Sequence, residues 1–470
     1  MTDLTKYKYK ALIITGLATF LGTLDSSIVN VSLPTISREM GASMDTVGWV
    51  IIAYAISIIS LLMVFGVISE KKGYQKSYYY GFLLFILGSA LCGLSFNIYF
   101  LIAMRALQGI GAALLVSVGP AMITKTFPES ERGRGLASIA MVVATGLMLG
   151  PPLGGFIVGG LGWRWVFFVN LPLGLLGIYL TFRFIRDFPV ADPDRKIHLP
   201  GAGSLSFGFL TLMLAFSFYG RHIITPAIIA AGLAVAGISF ALFFYFEYNP
   251  QTRLIGLDLF KNKIFSFSLL ALFMVFIGLS AVSVILPFYL EQIKKFEPEE
   301  VGLILMVIPI CGFITAPLAG YLADKFQARI ISTTGIVILL AGVWMVRFLD
   351  ASSGLDSIIF SLAFIGLGMG VFGTPNTSSI MGSVRKLQLG SASGILSTTR
   401  SLSMAFGVGL SMALLNYYQN LFLRADSDID LAFIYGFKMD FAFVAAVVLI
   451  GAIASLLRGK NLAEKTNVTS

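Results

Sequence analysis

Residues 66–73 read Gly66-Val67-Ile68-Ser69-Glu70-Lys71-Lys72-Gly73, and residues 320–325 read Gly320-Tyr321-Leu322-Ala323-Asp324-Lys325. Both follow one pattern (glycine, two residues, a small residue, an acid, a lysine), and they stand 254 positions apart. Each closes a long apolar run at an equivalent place in its half of the chain. A weaker echo, Ala137-Ser138 against Ala392-Ser393, has an offset of 255. Acid–lysine pairs flank many membrane helices by chance, so a single match is weak. Two matches at nearly one offset indicate an internal repeat. Two six-span halves separated by two extra spans give this arithmetic, and transporters are often built so, one half rocking against the other around a site near the midplane.

Composition supplies the spans that the repeat requires. Hydrophobic residues make up 57% of the 470, charged residues only 12%, and the mean hydropathy is +0.88. A soluble domain carries roughly 25% charged residues, because its surface faces water; most of this surface must face lipid. Apolar runs fall near 10–33, 46–69, 77–95, 98–121, 136–158 and 165–185, then 201–219 and 223–247. Six more fall near 264–290, 300–322, 329–349, 356–380, 389–415 and 438–458. Each is close to the ~20 residues that cross ~30 Å of hydrocarbon, where a backbone must bond to itself. The expected fold is an all-α integral membrane protein with fourteen transmembrane helices. Residues 1–190 form a first six-helix bundle, 191–255 an inserted helix pair, and 256–470 a second six-helix bundle.

Charge gives the orientation. The connections on the side of the termini hold 23 of the 33 basic residues. The positive-inside rule then puts both termini in the cytoplasm, the expected location being the cell membrane. Trp49, Trp163, Trp165 and Trp344 fall near the outer interface, as an aromatic belt would. The net charge of +9 is therefore a topology signal, and no basic soluble face suits a nucleic acid. Cys92 and Cys311 lie in separate apolar runs, and His198 and His222 in short polar connections. That offers no metal site, no catalytic cluster and no cofactor. The first apolar run, about 24 residues long, exceeds the roughly 7–15 of a signal-peptide core and reads as a spanning helix. A membrane enzyme would cluster His, Cys or acids at depth, and a sensor would carry a sizeable soluble output domain. The longest hydrophilic connections here are about 15 to 25 residues.

Few charges enter the spans. Asp25 reads as the only acid deep within one, with Glu247, Glu291, Asp350 and Asp440 near span ends. An ionised carboxylate at that depth costs a few kcal/mol or more unless paired or protonated, which suits a residue that takes up and releases a proton; the plainer reading is a structural acid. Arg105 and Asp25 each lie about eight residues inside the outer ends of their spans, about 12 Å deep at 1.5 Å per residue. Equal depth permits a direct or water-bridged pair. The plainer role for Arg105 is bonding to helix carbonyls. Arg400 lies roughly 16 Å from the cytoplasmic end of its span. One deep acid against two arginines disfavours an exporter of dications. Gly146, Gly150 and Gly154 share one helical face, which lets a neighbouring backbone approach closely; Pro151 removes a helical hydrogen bond there. Gly368-x-Gly370-x-x-Gly373 matches the dinucleotide fingerprint in form, but it lies inside an apolar span with no strand before it.

Several of these stretches resemble the major facilitator superfamily. Gly66–Gly73 is similar to its loop motif between helices 2 and 3, with Glu70 where Asp is usual and Tyr74 where Arg is usual. Leu101-x-x-x-Arg105-x-x-Gln108-Gly109-x-Gly111 resembles its second motif. Gly146-x-x-x-Gly150-Pro151-x-x-Gly154-Gly155 resembles the motif of its antiporters. Leu24-Asp25-x-x-Ile28-Val29-Asn30-Val31-x-Leu33-Pro34, with Trp163-Arg164-Trp165 and Asn170-Leu171-Pro172, resembles its fourteen-helix drug:proton antiporter branch. The resemblance implies proton-coupled export of hydrophobic or amphiphilic small molecules by alternating access. Asp25 would carry the proton, and Arg105, Gln108, Asn30 and Arg400 would support it or line the substrate cavity. Gly66, Glu70, Lys71, Gly73, Arg132, Arg134 and Asp324 would form a cytoplasmic gate. Gly146, Gly150, Pro151 and Gly154 would form a sliding and sealing surface. The expected partners are a small-molecule substrate, protons and the bilayer, with the protein monomeric. The alternatives are proton-coupled transport of a specific metabolite or lipid-like anion, and a non-transporting membrane sensor.

Overall fold

The computed structural model describes residues 3–128, 131–185, 199–218, 226–248, 257–385, 388–424 and 427–459. Among these residues every regular element is helical. Ten helices are long and apolar enough to cross a membrane. The chain divides into two compact units, Met1–Gly256 and Leu257–Ser470.

The first unit comprises α1 (Asp3–Met40), α2 (Met44–Lys72), α3 (Tyr74–Gly93), α4 (Ile98–Thr126), α5 (Arg132–Leu161), the short α6 (Trp165–Phe168), α7 (Asn170–Phe184), α8 (Leu199–Phe218) and α9 (Pro226–Tyr248). Polar caps set the starts: the side chain of Ser43 accepts from the Thr46 backbone, and that of Asn97 from the Phe100 backbone. Between α2 and α3 the chain turns on Gly73 at φ +97°, in the region that favours glycine. The last glycine of the 66–73 stretch therefore has a local reason to be there. The run near 165–185 is helical throughout: α6 and α7 adjoin at Val169, whose backbone stays in the helical region (φ −60°, ψ −23°). Tyr78, Phe82 and Phe85 on α3 fill the core against Ile14 and Leu21 of α1 and Leu115 of α4. The Thr15 and Tyr78 hydroxyls meet there at 2.9 Å. Of the inserted pair, α8 packs against α2, and α9 against α8. α9 leaves Ile228, Leu242, Phe244 and Tyr245 exposed, as a helix facing lipid does.

The second unit comprises α10 (Lys263–Phe288), α11 (Pro298–Leu305), α12 (Val307–Lys325), α13 (Ala328–Val346), α14 (Leu355–Gly382), α15 (Leu389–Leu423) and α16 (Ile429–Leu457). The run near 300–322 is likewise helical throughout, α11 and α12 adjoining at Met306 with helical backbone angles. α16 begins nine residues before the apolar run that marks it, because Asp428 caps its first turn by accepting from the Asp430 and Leu431 backbones. At the other end of α16, Arg458 is buried and ties the unit together. It donates to Asn376 Oδ1 on α14 (3.1 Å), to Ser268 Oγ on α10 (3.4 Å) and to Ser332 Oγ on α13 (3.3 Å). Asn376 in turn donates to the Ser268 carbonyl at 3.1 Å.

Hydrogen bonds from a charged donor contribute about 1.5–3 kcal/mol each when their loss leaves buried partners unsatisfied. Arg458→Ala is therefore expected to destabilise the protein by about 3 kcal/mol and to lower its melting temperature in detergent. Ser332→Ala should cost about 1 kcal/mol. An Arg458→Ala protein that melts with the wild type would show that the cluster does not hold the helices.

Candidate functional site

Asp25 lies on α1 with no exposed surface, and three N–H donors converge on its carboxylate. Arg105 donates to Oδ2 at 2.7 Å. Gln108 and Asn170 donate to Oδ1 at 2.8 and 2.7 Å. Ser89 joins the group: its Oγ accepts from Gln108 at 3.2 Å and Asn170 at 3.1 Å, and donates to the Phe167 carbonyl at 2.8 Å. Five buried polar side chains from α1, α3, α4 and α7 thus form one connected network.

Local structure explains why these residues meet. Arg105 and Gln108 are three apart on α4 and share a face. Gly88 on α3 lets the two helices approach, since a Cβ there would stand 2.7 Å from the Gln108 backbone. That brings Ser89 within reach of Gln108. Asn170 stands at the first position of α7, and its amide reaches Asp25 from there.

Arg105 has acceptors besides Asp25. Its Nε donates to the Val50 carbonyl of α2 at 3.0 Å, and Nη1 also donates to Gln108 Oε1 at 2.6 Å. The guanidinium lies over the Tyr54 ring, 4.2 Å from its centroid. Stacking on an aromatic face and in-plane hydrogen bonding occupy different directions, so both hold the guanidinium at once. The arrangement presents a fully bonded carboxylate, beside an arginine that retains a carbonyl and an amide oxygen when that carboxylate is neutral.

The glycine stripe of α5 seats α1 on either side of Asp25. A Cβ at Gly146 would come within 2.2 Å of Thr23 Oγ1, one at Gly150 within 2.3 Å of Ser27, and one at Gly154 within 2.9 Å of the Ile28 carbonyl. Ser27 donates across the contact to the Leu147 carbonyl at 3.1 Å. Helix α5 continues through Pro151 and Pro152.

The other residues singled out in the sequence do not join this network. Asn30, further along α1, is buried with its Oδ1 unpartnered among the described residues. Arg400 on α15 is half-buried. Its guanidinium lies 5.2 Å from the Phe276 ring centroid, and its Nε has no hydrogen-bond partner among the described residues. Gly66 lies in α2 with open space beside it. The side chains of Glu70, Lys71, Arg132, Arg134 and Asp324 lie outside the described ones.

The census of deep charges also differs from the expected one. Asp440 does not sit near a span end: it is fully buried within α16, whose early start places it at depth. Arg458 is buried as well. Among the described residues two deep acids thus stand against three arginines, so the excess of one positive charge is unchanged. Two members of the Asp25 network, Ser89 and Asn170, carry no role in the sequence reading. Asn170 had a signal, its place in Asn170-Leu171-Pro172; Ser89 is one of many serines in apolar runs.

The Major Facilitator Superfamily family model matches residues 15–407 and 268–469. The chain is 33% identical over 402 residues to the riboflavin transporter RibZ of Clostridioides difficile, covering 86% of this chain and 87% of the relative. It is 28% identical over 414 residues to the multidrug transporter protein MdtP of Bacillus subtilis, covering 87% and 76%. Its fold is similar to that of a bacterial homologue of the human lysosomal transporter Spinster, with a TM-score of 0.68 at 14% identity, covering 97% and 98% of the two chains.

Removing one member of a buried ion pair costs about 3–5 kcal/mol, because the other is left uncompensated. Arg105→Leu should destabilise the protein by that amount. Adding Asp25→Asn should recover at least about 1 kcal/mol of the loss, the signature of coupled neighbours. Thermal unfolding of the two single variants and the double variant measures this, and strictly additive losses would rule the pair out as a coupled unit.

Proposed function

The chain belongs to the Major Facilitator Superfamily, and from that premise we propose that it exports hydrophobic or amphiphilic small molecules across the cell membrane in exchange for protons. The family and the relatives make it a multi-pass membrane transporter of small molecules rather than an enzyme. The finer reading places it in the fourteen-helix drug:proton antiporter branch, as a monomer with both termini in the cytoplasm, working by alternating access.

One observation carries the proton coupling: a wholly buried carboxylate bonded by one arginine and two amides. Proton uptake at Asp25 removes one negative charge from the network. Arg105 keeps the Val50 carbonyl and Gln108 Oε1 as acceptors, so neither protonation state strands the guanidinium. A rearranging network of this kind couples a proton to a shift of α1 against α4. The glycine contacts of α5 lie on the same stretch of α1 and would feel that shift. Asn30 and Arg400 are proposed to face substrate, each with a polar atom free to bond it. The gate residues Gly66, Glu70, Lys71, Gly73, Arg132, Arg134 and Asp324 are proposed to set which side is open.

A second reading concerns the cargo. The relative named a riboflavin transporter is 33% identical and matched over most of its length, which favours a single metabolite over a broad range of drugs. Ethidium, a monovalent lipophilic cation, and riboflavin distinguish the two when assayed side by side.

In proteoliposomes with an imposed pH gradient, the wild type is expected to accumulate at least one of these probes uphill. Asp25→Asn should lower that accumulation at least tenfold while leaving downhill exchange and folding intact. Uphill accumulation by Asp25→Asn at the wild-type rate would exclude Asp25 as the coupling residue.

A further inference from the structure

Asp440 lies eleven residues into the 29-residue helix α16, about 17 Å from its start at 1.5 Å per residue. No part of it is exposed, and neither carboxyl oxygen has a hydrogen-bond partner among the described residues. One turn to either side on its own helix are Gly436, Phe437 and Val444, all buried. Gly436 abuts the Leu415 carbonyl of α15, and Val444 lies against Gly278 of α10, so Asp440 falls where α10, α15 and α16 pack. Ser411 of α15, also buried, is its polar neighbour, near enough for its hydroxyl to weakly favour the carboxylate though not in hydrogen-bond geometry.

No described cation compensates it. Among titratable side chains, α10 carries only Lys263, at its first position. α13 carries Arg329, which donates to the Leu456 carbonyl at the far end of α16. Arg347, just past α13, stacks on Trp344 and Phe348. α15 carries Tyr417, Tyr418 and Arg400, the last eleven residues from Ser411, about 16 Å along the helix. On α16 itself, Asp430, Tyr435 and Lys438 precede it. Tyr289, from the segment after α10, stacks on Phe437 but donates its hydroxyl to the Asp350 carbonyl.

An ionised carboxylate without a partner in such surroundings is so costly that the group neutralises instead. Packing alone gives no reason for an acid here, since an apolar side chain would leave no buried oxygen unsatisfied.

We propose that Asp440 is a second proton-binding site of the transporter, loaded in this conformation and emptied when another conformation brings water to α16. The chemistry is a single transfer: the O–H bond of the carboxyl breaks, the proton passes to water, and the carboxylate takes a proton from water on its return. This rests on the proton-coupled reading and extends it from one proton per cycle to two.

Two measurements test it. Infrared spectra of the reconstituted wild type at neutral pH should contain a protonated-carboxyl band that is missing in Asp440→Asn. Absence of that band from the wild type, or its persistence in the variant, overturns the proposal. The second reads stoichiometry, using whichever of riboflavin or ethidium the wild type accumulates, with membrane potential clamped at zero. For a probe whose own charge is accounted for, two protons per cycle allow about a hundredfold accumulation per unit of pH gradient, and one proton about tenfold. The wild type should approach the first limit and Asp440→Asn the second, a change that a purely structural role would not produce. A wild type that stops near tenfold, or a variant that still reaches a hundredfold, overturns the assignment. If Asp440→Asn does not transport at all, the wild-type limit and the infrared band decide. A wild type indifferent to the gradient defeats the proton-coupled reading itself, while the band still reports whether Asp440 holds a proton.

Discussion

Taking a guanidinium and a carboxylate out of water costs several kcal/mol for each ion, and their attraction repays this only when the remaining hydrogen-bonding positions are also filled. The first unit meets that condition at Asp25 and Arg105, and much of its local architecture follows. α3 and α4 approach at Gly88 so that Ser89 can reach Gln108. Asn170, at the start of α7, donates to the carboxylate. α2 offers the Val50 carbonyl and the Tyr54 ring to the guanidinium. The glycines of α5 let α1 seat closely on both sides of the acid. A network so densely connected is rigid, and a proton on Asp25, as proposed, would act on each of its partners.

The second unit solves a related problem with different groups. Its cross-link joins α10, α13, α14 and α16 through Ser268, Ser332, Asn376 and Arg458. Counting α6 with α7 and α11 with α12, these are the counterparts, in chain order, of the α1, α3, α4 and α7 that share the Asp25 network. The repeat has thus kept the choice of helices to be tied together while the tie itself has diverged. In the first unit the tie contains a carboxylate. In the second, Asp440 stands apart from the tie, among mostly apolar side chains with Ser411 as its polar neighbour. That separation gives the halves different responses to protons. On the proposed reading, one half would exchange partners within a network, and the other would gain or lose a charge that has no cation beside it.

Much was determined by the sequence alone. Long runs without charges admit only helices in hydrocarbon, and the paired stretches at 66–73 and 320–325 announce two halves. The period of the α-helix puts Gly146, Gly150 and Gly154 on one face, and Arg105 with Gln108 on another. The rise per residue places Asp25 and Arg105 at one depth. Each of these properties belongs to a single helix and can be counted along it.

What only the tertiary structure decided depends on how separate helices are rotated and where they start. Sequence gives the depth of Arg105 but not the direction of its face, so its contact with Asp25 had to be seen. Ser89 and Asn170 belong to the network because the packing of α3, α4 and α7 brings them to it, and that packing is not written in their own residue types. Asn30, on the same helix as Asp25, makes no bond to the network. The depth of Asp440 was hidden because Asp428, Asp430 and Lys438 interrupt the apolar run and imitate an interface. The helix starts at Ile429 all the same, since a cap satisfies its first turn and neighbouring helices bury the rest. Hydropathy registers where a chain turns apolar; burial depends on what packs against it.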